Sequence, residues 1–291
     1  MRVLFLSSGL HVGGFSKSLV YMIECLQSRG VQVDLLLLRR TDDEWLLESL
    51  GSLKIVKNSL TDELARTERS KLSKALAIIR TGRILNRLWV SVLRYTAYRG
   101  SEVPIRLQLR SNQLDDERLV SGLRSRVNFI ETYDCVVSWE ESLCNYVLAA
   151  KIAAKRKIGY IHSDYIEAGF YAPPDRRLLD RLDAIAFVSE ANRESFCRAI
   201  PELASKSVTI PNVLSVARIR RLARVEPAVE MECSVVSILT VCRLQNVSKA
   251  LDRAARVCAR MKYEGLHFKW FFVGSGPDQE MFEALIKKLG I

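Results

Sequence analysis

The sequence predicts an α/β protein built on doubly wound parallel sheets. Short apolar runs alternate with amphipathic helical stretches along most of the 291 residues, and the chain opens with a strand, a helix and a second strand. A strand–helix–strand unit of this length crosses over right-handed and makes its two strands parallel. The chain length and the 48% hydrophobic content suffice for two domains with packed cores.

The first domain is predicted over residues 1–214. Its first strand covers residues 2–8 (RVLFLSS), a helix covers residues 16–30, and a second strand covers residues 31–38 (VQVDLLLL). Later strands are recognised as short apolar runs, at residues 133–139, 157–163, 184–190 and 207–212. Helical stretches separate them, at residues 141–155 and 191–200.

A basic helical insert interrupts this rhythm at residues 61–126. On a helical projection four arginines share one face, and apolar side chains that include Trp89 share the opposite face. The arginines are Arg80, Arg83, Arg87 and Arg94. Two interpretations stay open: the helix rests on an anionic membrane, or its apolar side packs on its own domain and the arginines are solvated.

The second domain is predicted over residues 234–291, after a connector at 215–233 that continues no core pattern. Its elements are two strands and two helices, at residues 234–241, 248–261, 267–274 and 278–290. Two parallel strands cannot bury both of their faces. We therefore expect that the chain is a truncated fragment of a larger protein, or that something else completes the second sheet.

Composition narrows the possible environment and partners. The formal net charge of +11 favours an anionic partner, such as nucleic acid, lipid headgroups or a phosphorylated small molecule. Seven scattered cysteines without a C-x-x-C pair suggest neither a disulfide framework nor a zinc site. No apolar run approaches the ~20 residues that cross a bilayer. We expect a cytoplasmic protein, with peripheral contact to the inner face of the membrane as an option.

Two adjacent glycines, Gly13 and Gly14, lie between the first strand and the first helix. The loop is not a P-loop, because Lys17 comes two places too late, and it also lacks the G-x-G-x-x-G spacing of dinucleotide folds. A bare loop before a helix brings backbone N–H groups close to an anion. A simple turn is the alternative.

Two cations and a histidine follow other predicted strands. Arg243 and Lys249 are six residues apart, after a strand and at a helix start. They would repel each other there unless a polyanion such as a diphosphate lay between them, although both could equally be solvated surface cations. His162 ends a strand in "YIHSD", where a structural hydrogen-bonded histidine is the alternative to a site residue.

Several of these stretches recur together, in order, in one known family. The loop "GLHVGGFSKSLVYMIECLQSRG", the strand end "GYIHSD", the run "AIAFVSEANRESFCRAIPELASKSVTIPN", then "ILTVCRLQNVSKALDRAARV" and "FVGSGPDQEMFEALIKKLGI" resemble retaining glycosyltransferases of family 4. The resemblance covers almost the whole chain apart from the basic insert. It implies a GT-B fold, in which two Rossmann-like domains face a cleft, with the second domain incomplete here.

The resemblance also implies the substrates and the residue roles. The donor would be a UDP- or GDP-sugar, and the acceptor a glycan or lipid-linked molecule in cell-surface polysaccharide assembly. His162 would contact the transferred sugar near the reacting carbon. The donor diphosphate would be held by Gly13, Gly14, Arg243 and Lys249, and the nucleotide by Gly274 and Gly276. No metal and no cofactor would be required, in agreement with the absence of a D-x-D triplet.

The chain departs from the family at two points. Ala250 stands where members usually have glycine, and two glutamates seven residues apart would lie beyond Ile291. We therefore expect negligible transfer by this chain alone. A non-catalytic, degenerate glycosyltransferase domain that binds anionic membrane or a partner enzyme is the alternative. Nucleic acid is not expected as a partner, because only the net charge favours it.

Overall fold

A computed structural model describes residues 1–10, 13–39, 50–51, 53–69, 105–225 and 235–291, with only the backbone described at 68–69 and 105–111. The chain divides into two compact units, Met1–Ser215 and Val216–Ile291. We refer to them as unit 1 and unit 2. The four arginines of the basic insert, named above, lie outside the described residues.

Unit 1 contains a seven-stranded sheet in which every neighbouring pair is parallel, as the sequence predicts. The strands of this sheet are β1 (Arg2–Ser7), β2 (Gln32–Leu37), β3 (Lys54–Val56), β5 (Cys135–Ser138), β7 (Lys157–Ile161), β8 (Ala184–Phe187) and β9 (Ser207–Thr209). Their order across the sheet is β3-β2-β1-β5-β7-β8-β9. A separate pair is formed by β4 (Val127–Asn128) and β6 (Ile152–Ala153).

Helices cover both faces of this sheet, so the central strands are continuous apolar runs. Within β1, Leu4 and Leu6 belong to one core, while Val3 and Phe5 belong to the core on the opposite face. The helices of unit 1 are α1 (Gly14–Gln27), α2 (Ser59–Arg69), α3 (Ile105–Gly122), α4 (Leu143–Lys151), α5 (Tyr165–Ala168), α6 (Ala172–Leu179) and α7 (Glu190–Ala199), followed by a 3-10 turn at Pro201–Lys206.

The helix predicted at residues 141–155 is shorter in the structure. α4 ends at Lys151, because Ile152 adopts extended backbone angles (φ −112, ψ 127) and begins β6. Residues predicted as the last turn of the helix therefore begin with a short strand that pairs with β4.

Unit 2 contains a two-stranded parallel sheet, β10 (Val236–Val241) and β11 (Phe268–Val273). Its helices are α8 (Val216–Leu222), α9 (Asn246–Lys249), α10 (Leu251–Tyr263) and α11 (Gln279–Leu289). Leu251, Ala255 and Phe282 pack into a small core with Leu244. The predicted connector contains α8, which buries no residue.

The helix predicted at residues 248–261 is interrupted in the structure. Lys249 ends α9, Ala250 lies in the left-handed region (φ 50, ψ 48), and α10 begins at Leu251. The sequence predicted that Lys249 lies at the start of the long helix. In the structure it lies before a break, and the long helix starts after it. The position where the resembled family has glycine is the one that needs a positive φ.

Candidate functional site

The strand order of unit 1 reverses at β1, whose neighbours are β2 on one side and β5 on the other. In open α/β sheets the carboxyl ends of the strands beside such a reversal form the crevice that binds ligands. Three segments meet at this edge: the residues after β1, those after β5 and those after β7. They bring the glycine loop and His162 into one site, which we call the carboxyl-edge site.

His162 lies half-buried among aromatic rings at this edge. Its ring centroid is 4.9 Å from that of Phe15, 5.0 Å from that of Trp139 and 5.7 Å from that of Tyr160. Phe15 is the first side chain after the two glycines, and its carbonyl oxygen accepts a hydrogen bond from Trp139 Nε1 (3.3 Å). The start of α1 and the end of β7 are therefore in direct contact.

The protonation of His162 follows from these surroundings. Burial lowers the pKa of His162 below its ordinary value, and the nearby charge of Glu141 opposes this effect. Nε2 lies 2.9 Å from the carbonyl oxygen of Trp139. Because a carbonyl only accepts, Nε2 carries the hydrogen, and Nδ1 of the neutral ring is left as an acceptor.

Gly13 precedes α1 and Gly14 begins it, and the described residues give neither a steric reason to be glycine. A Cβ atom built on either residue meets nothing within 4 Å among the described residues. Gly13, with φ 165 and ψ 173, is extended, and Gly14 is already helical. Neither conformation requires glycine.

Glu140 and Glu141 follow β5 and were not predicted as site residues. Glu140 accepts hydrogen bonds from Ser7 Oγ (2.6 Å), from the backbone N–H of Ser8 (2.9 Å) and from Ser8 Oγ. Glu141 accepts from Ser163 Oγ (2.6 Å) and from the backbone N–H of His162 (3.3 Å). The available signal was two consecutive acidic residues at the carboxyl end of a buried strand.

In unit 2, Arg243 and Lys249 both follow the carboxyl end of β10. Both side chains are exposed, and within the described residues neither has an ion pair or a hydrogen bond. The break at Ala250 separates Lys249 from the long helix α10. Two unpaired cations thus lie after the same strand.

Gly274 and Gly276, in contrast, are glycine because of packing within unit 2. A Cβ atom on Gly274 would lie 1.9 Å from the carbonyl oxygen of Cys242, and one on Gly276 would lie 2.2 Å from that of Leu244. Their loop is hydrogen-bonded to the loop that carries Arg243, through the backbone N–H of Leu244 and the carbonyl of Ser275 (3.0 Å). A nucleotide contact for these glycines stays a prediction.

The parts of the chain that the structure describes contain no group of three His, Cys, Asp or Glu side chains placed to hold a metal ion. No helix in the described ranges is both long and apolar enough to cross a bilayer.

Comparison with known proteins identifies the fold. No family model and no curated protein sequence matches the chain. A solved structure of an S. aureus TarM mutant, in complex with fondaparinux, α-GlcNAc-glycerol and UDP, superimposes with a TM-score of 0.56 at 9% identity. The match covers 100% of this chain and 76% of TarM. The shared fold is the α/β fold of GT-B glycosyltransferases, which confirms the expected fold class.

Two further structures overlap with lower scores. A glycosyltransferase from Rickettsia africae has a TM-score of 0.49 at 11% identity, over 99% of this chain and 64% of its own length. MurG from Acinetobacter baumannii has a TM-score of 0.43 at 12% identity, over 100% of this chain and 63% of its own length. The chain thus spans less than two thirds of either protein.

Proposed function

We propose that this chain is a glycosyltransferase of family 4 type, which transfers a sugar from a UDP- or GDP-sugar with retention of configuration. One observation carries the proposal. The diglycine loop, through Phe15, and His162 meet at the strand-order reversal of a GT-B-type sheet, with ring centroids 4.9 Å apart. The TarM structure with the same fold contains UDP, which supports a nucleotide-sugar donor.

His162 would serve as a neutral hydrogen-bond acceptor for the sugar. Its Nδ1 is available to accept from a sugar hydroxyl, because Nε2 donates to the carbonyl of Trp139. A neutral ring with this tautomer has no proton to give to a leaving group from Nδ1. The ring would therefore orient the sugar, and the leaving diphosphate would need another source of positive charge.

Arg243 and Lys249 would supply that charge. Cleavage of a sugar–phosphate bond passes through an oxocarbenium-like state while negative charge grows on the diphosphate. Fixed cations beside the diphosphate stabilise this state more than the ground state, so no metal ion is needed in the proposal. The exposure of both side chains and the absence of partners in the described ranges leave them available for phosphate oxygens.

The acceptor and the location are proposed on the resemblance alone. The acceptor would be a glycan or lipid-linked molecule in cell-surface polysaccharide assembly. The protein would act in the cytoplasm, at the inner face of the membrane.

The test is calorimetric titration of the full chain with UDP, for the wild type and two double variants. Arg243→Ala/Lys249→Ala removes the proposed diphosphate cations and should weaken UDP binding by about tenfold or more. Lys287→Ala/Lys288→Ala removes the same charge from the last turn of α11 and should change the affinity less than about twofold. Equal losses in both variants, or no UDP binding by the wild type, would refute the proposal.

A further inference from the structure

Glu140 and Glu141 are consecutive, yet their side chains reach in opposite directions. Glu140 binds the end of β1 through Ser7 and Ser8, while Glu141 binds the end of β7 through His162 and Ser163. Ser142, immediately after them, has φ 57 and ψ −108 and turns the chain into α4. A non-glycine residue in this region signals a turn that the surrounding structure enforces.

His162 is held from three directions, and two of them come from the segment after β5. Glu141 accepts from its backbone N–H, and the carbonyl of Trp139 accepts from its Nε2. The third contact comes from α7, where Asn192 Nδ2 donates to the carbonyl of His162 (2.8 Å). Of these three partners only Glu141 is charged, so it is the partner whose side chain can be changed to alter the electrostatics of the ring.

We propose that Glu141 is a positioning residue for His162: its hydrogen bonds to the backbone N–H of His162 and to Ser163 fix the end of β7 and with it the ring that faces the sugar. The inference rests on the function proposed above. Burial lowers the pKa of His162, and three effects oppose it: the charge of Glu141, then the hydrogen bond to the carbonyl of Trp139, then the charge of Glu140. Loss of the Glu141 charge removes the largest of these three opposing effects.

The decisive experiment is an NMR titration of the His162 ring in the full chain. The chain has three histidines, so a His162→Gln spectrum identifies the signal. Glu141→Gln keeps the size of the side chain but replaces one carboxylate oxygen by an NH2 group. One of the two groups that donate to Glu141, the backbone N–H of His162 or the Ser163 hydroxyl, then lacks its acceptor. We expect the His162 midpoint to move to lower pH in this variant. Glu140→Gln is the matched control and should move it less.

A second variant and a binding measurement separate position from charge. Ser163→Ala removes one donor to Glu141 but keeps the carboxylate, so the His162 midpoint should stay close to the wild-type value. Glu141→Gln should weaken binding of UDP-N-acetylglucosamine or UDP-glucose by about tenfold and leave UDP binding unchanged, because His162 is assigned to the sugar.

Each outcome bears on one of the two proposals. A His162 midpoint that does not move in Glu141→Gln, or moves no more than in Glu140→Gln, would overturn the role of Glu141. Absence of any UDP or UDP-sugar binding in the wild type would overturn the glycosyltransferase proposal, while the titration would still decide the role of Glu141. Should Glu141→Gln not fold, Glu141→Asp keeps the charge but moves it away from the ring, so its His162 midpoint should lie below the wild-type value, and an unchanged midpoint would overturn the role of Glu141.

Discussion

Replacing both loop glycines by alanine should weaken ligand binding without weakening the fold. Most glycines that matter to a structure fill a tight space or need a positive φ. Gly13 and Gly14 do neither, because a Cβ atom on either residue meets nothing described within 4 Å and their backbone angles suit alanine. Their lack of side chains is explained if a ligand approaches the backbone closely at this point.

The expected magnitudes follow from this geometry. Alanine at Gly14, the exposed first position of α1, gains up to about 1 kcal/mol of helix propensity over glycine. Alanine at the half-buried Gly13 should be neutral within about 0.5 kcal/mol, because a Cβ atom there meets nothing described within 4 Å. The free energy of unfolding of Gly13→Ala/Gly14→Ala should therefore be unchanged or slightly higher. Two methyl groups in the space of a bound ligand should cost about 1–3 kcal/mol, which is a tenfold or greater loss of affinity.

The assay pairs thermal unfolding with calorimetric titration by UDP-N-acetylglucosamine. Gly122→Ala, at the end of α3, is the control, because a Cβ atom there also meets nothing within 4 Å in the part of the chain that the structure describes. This control should change the free energy of unfolding by no more than about 1 kcal/mol and should leave the affinity for UDP-N-acetylglucosamine unchanged. Destabilisation of the Gly13→Ala/Gly14→Ala protein by more than about 1 kcal/mol would show that the glycines serve the fold, and unchanged affinity would show that no ligand approaches the loop.

Three other substitutions have expected outcomes. Ala250→Gly should raise the free energy of unfolding in urea by up to about 1 kcal/mol, since Ala250 has φ 50, and a decrease would contradict this. Gly274→Ala should lower the free energy of unfolding by about 3 kcal/mol or more, with or without ligand, because the new Cβ atom would lie 1.9 Å from the carbonyl oxygen of Cys242. A melting temperature equal to that of the wild type would refute this prediction. Burial raises the pKa of Asp175 to about 6, so the folded state retains this proton longer than the unfolded chain. As the pH rises from about 4 to about 6, the free energy of unfolding of the wild type should therefore fall by ~3 kcal/mol through this group, and Asp175→Asn should lack that decline. Parallel pH profiles of the two proteins would refute this role of Asp175.

The parallel sheet could be predicted because its central strands are buried on both faces. Such strands are continuous apolar runs, and the run at residues 2–8 became β1, Arg2–Ser7. β3 has only three residues, none of them buried, and gave no such signal. The break at Ala250 could not be predicted because no glycine or proline marks it in the sequence.

The candidate site was only partly predictable for a different reason. His162 could be singled out because it ends a strand, and the glycine pair because it precedes a helix. The role of Glu141 depends on contacts with residues 21 and 22 positions away, and that of Glu140 on contacts 132 and 133 positions away. Only the strand order brings these segments together, so the residue types alone could not reveal the contacts.

The strand order also has a consequence for how this protein could be re-engineered. The chain leaves the sheet at its outer strand, β3, and re-enters on the far side of β1, at β5. Backbone registers anchor both ends of this excursion, so its length does not determine where Ser7 meets Glu140. The same excursion contributes Leu60, Leu64 and Val120 to the core of unit 1, so a grafted replacement would have to keep these core contacts while its exposed residues are varied.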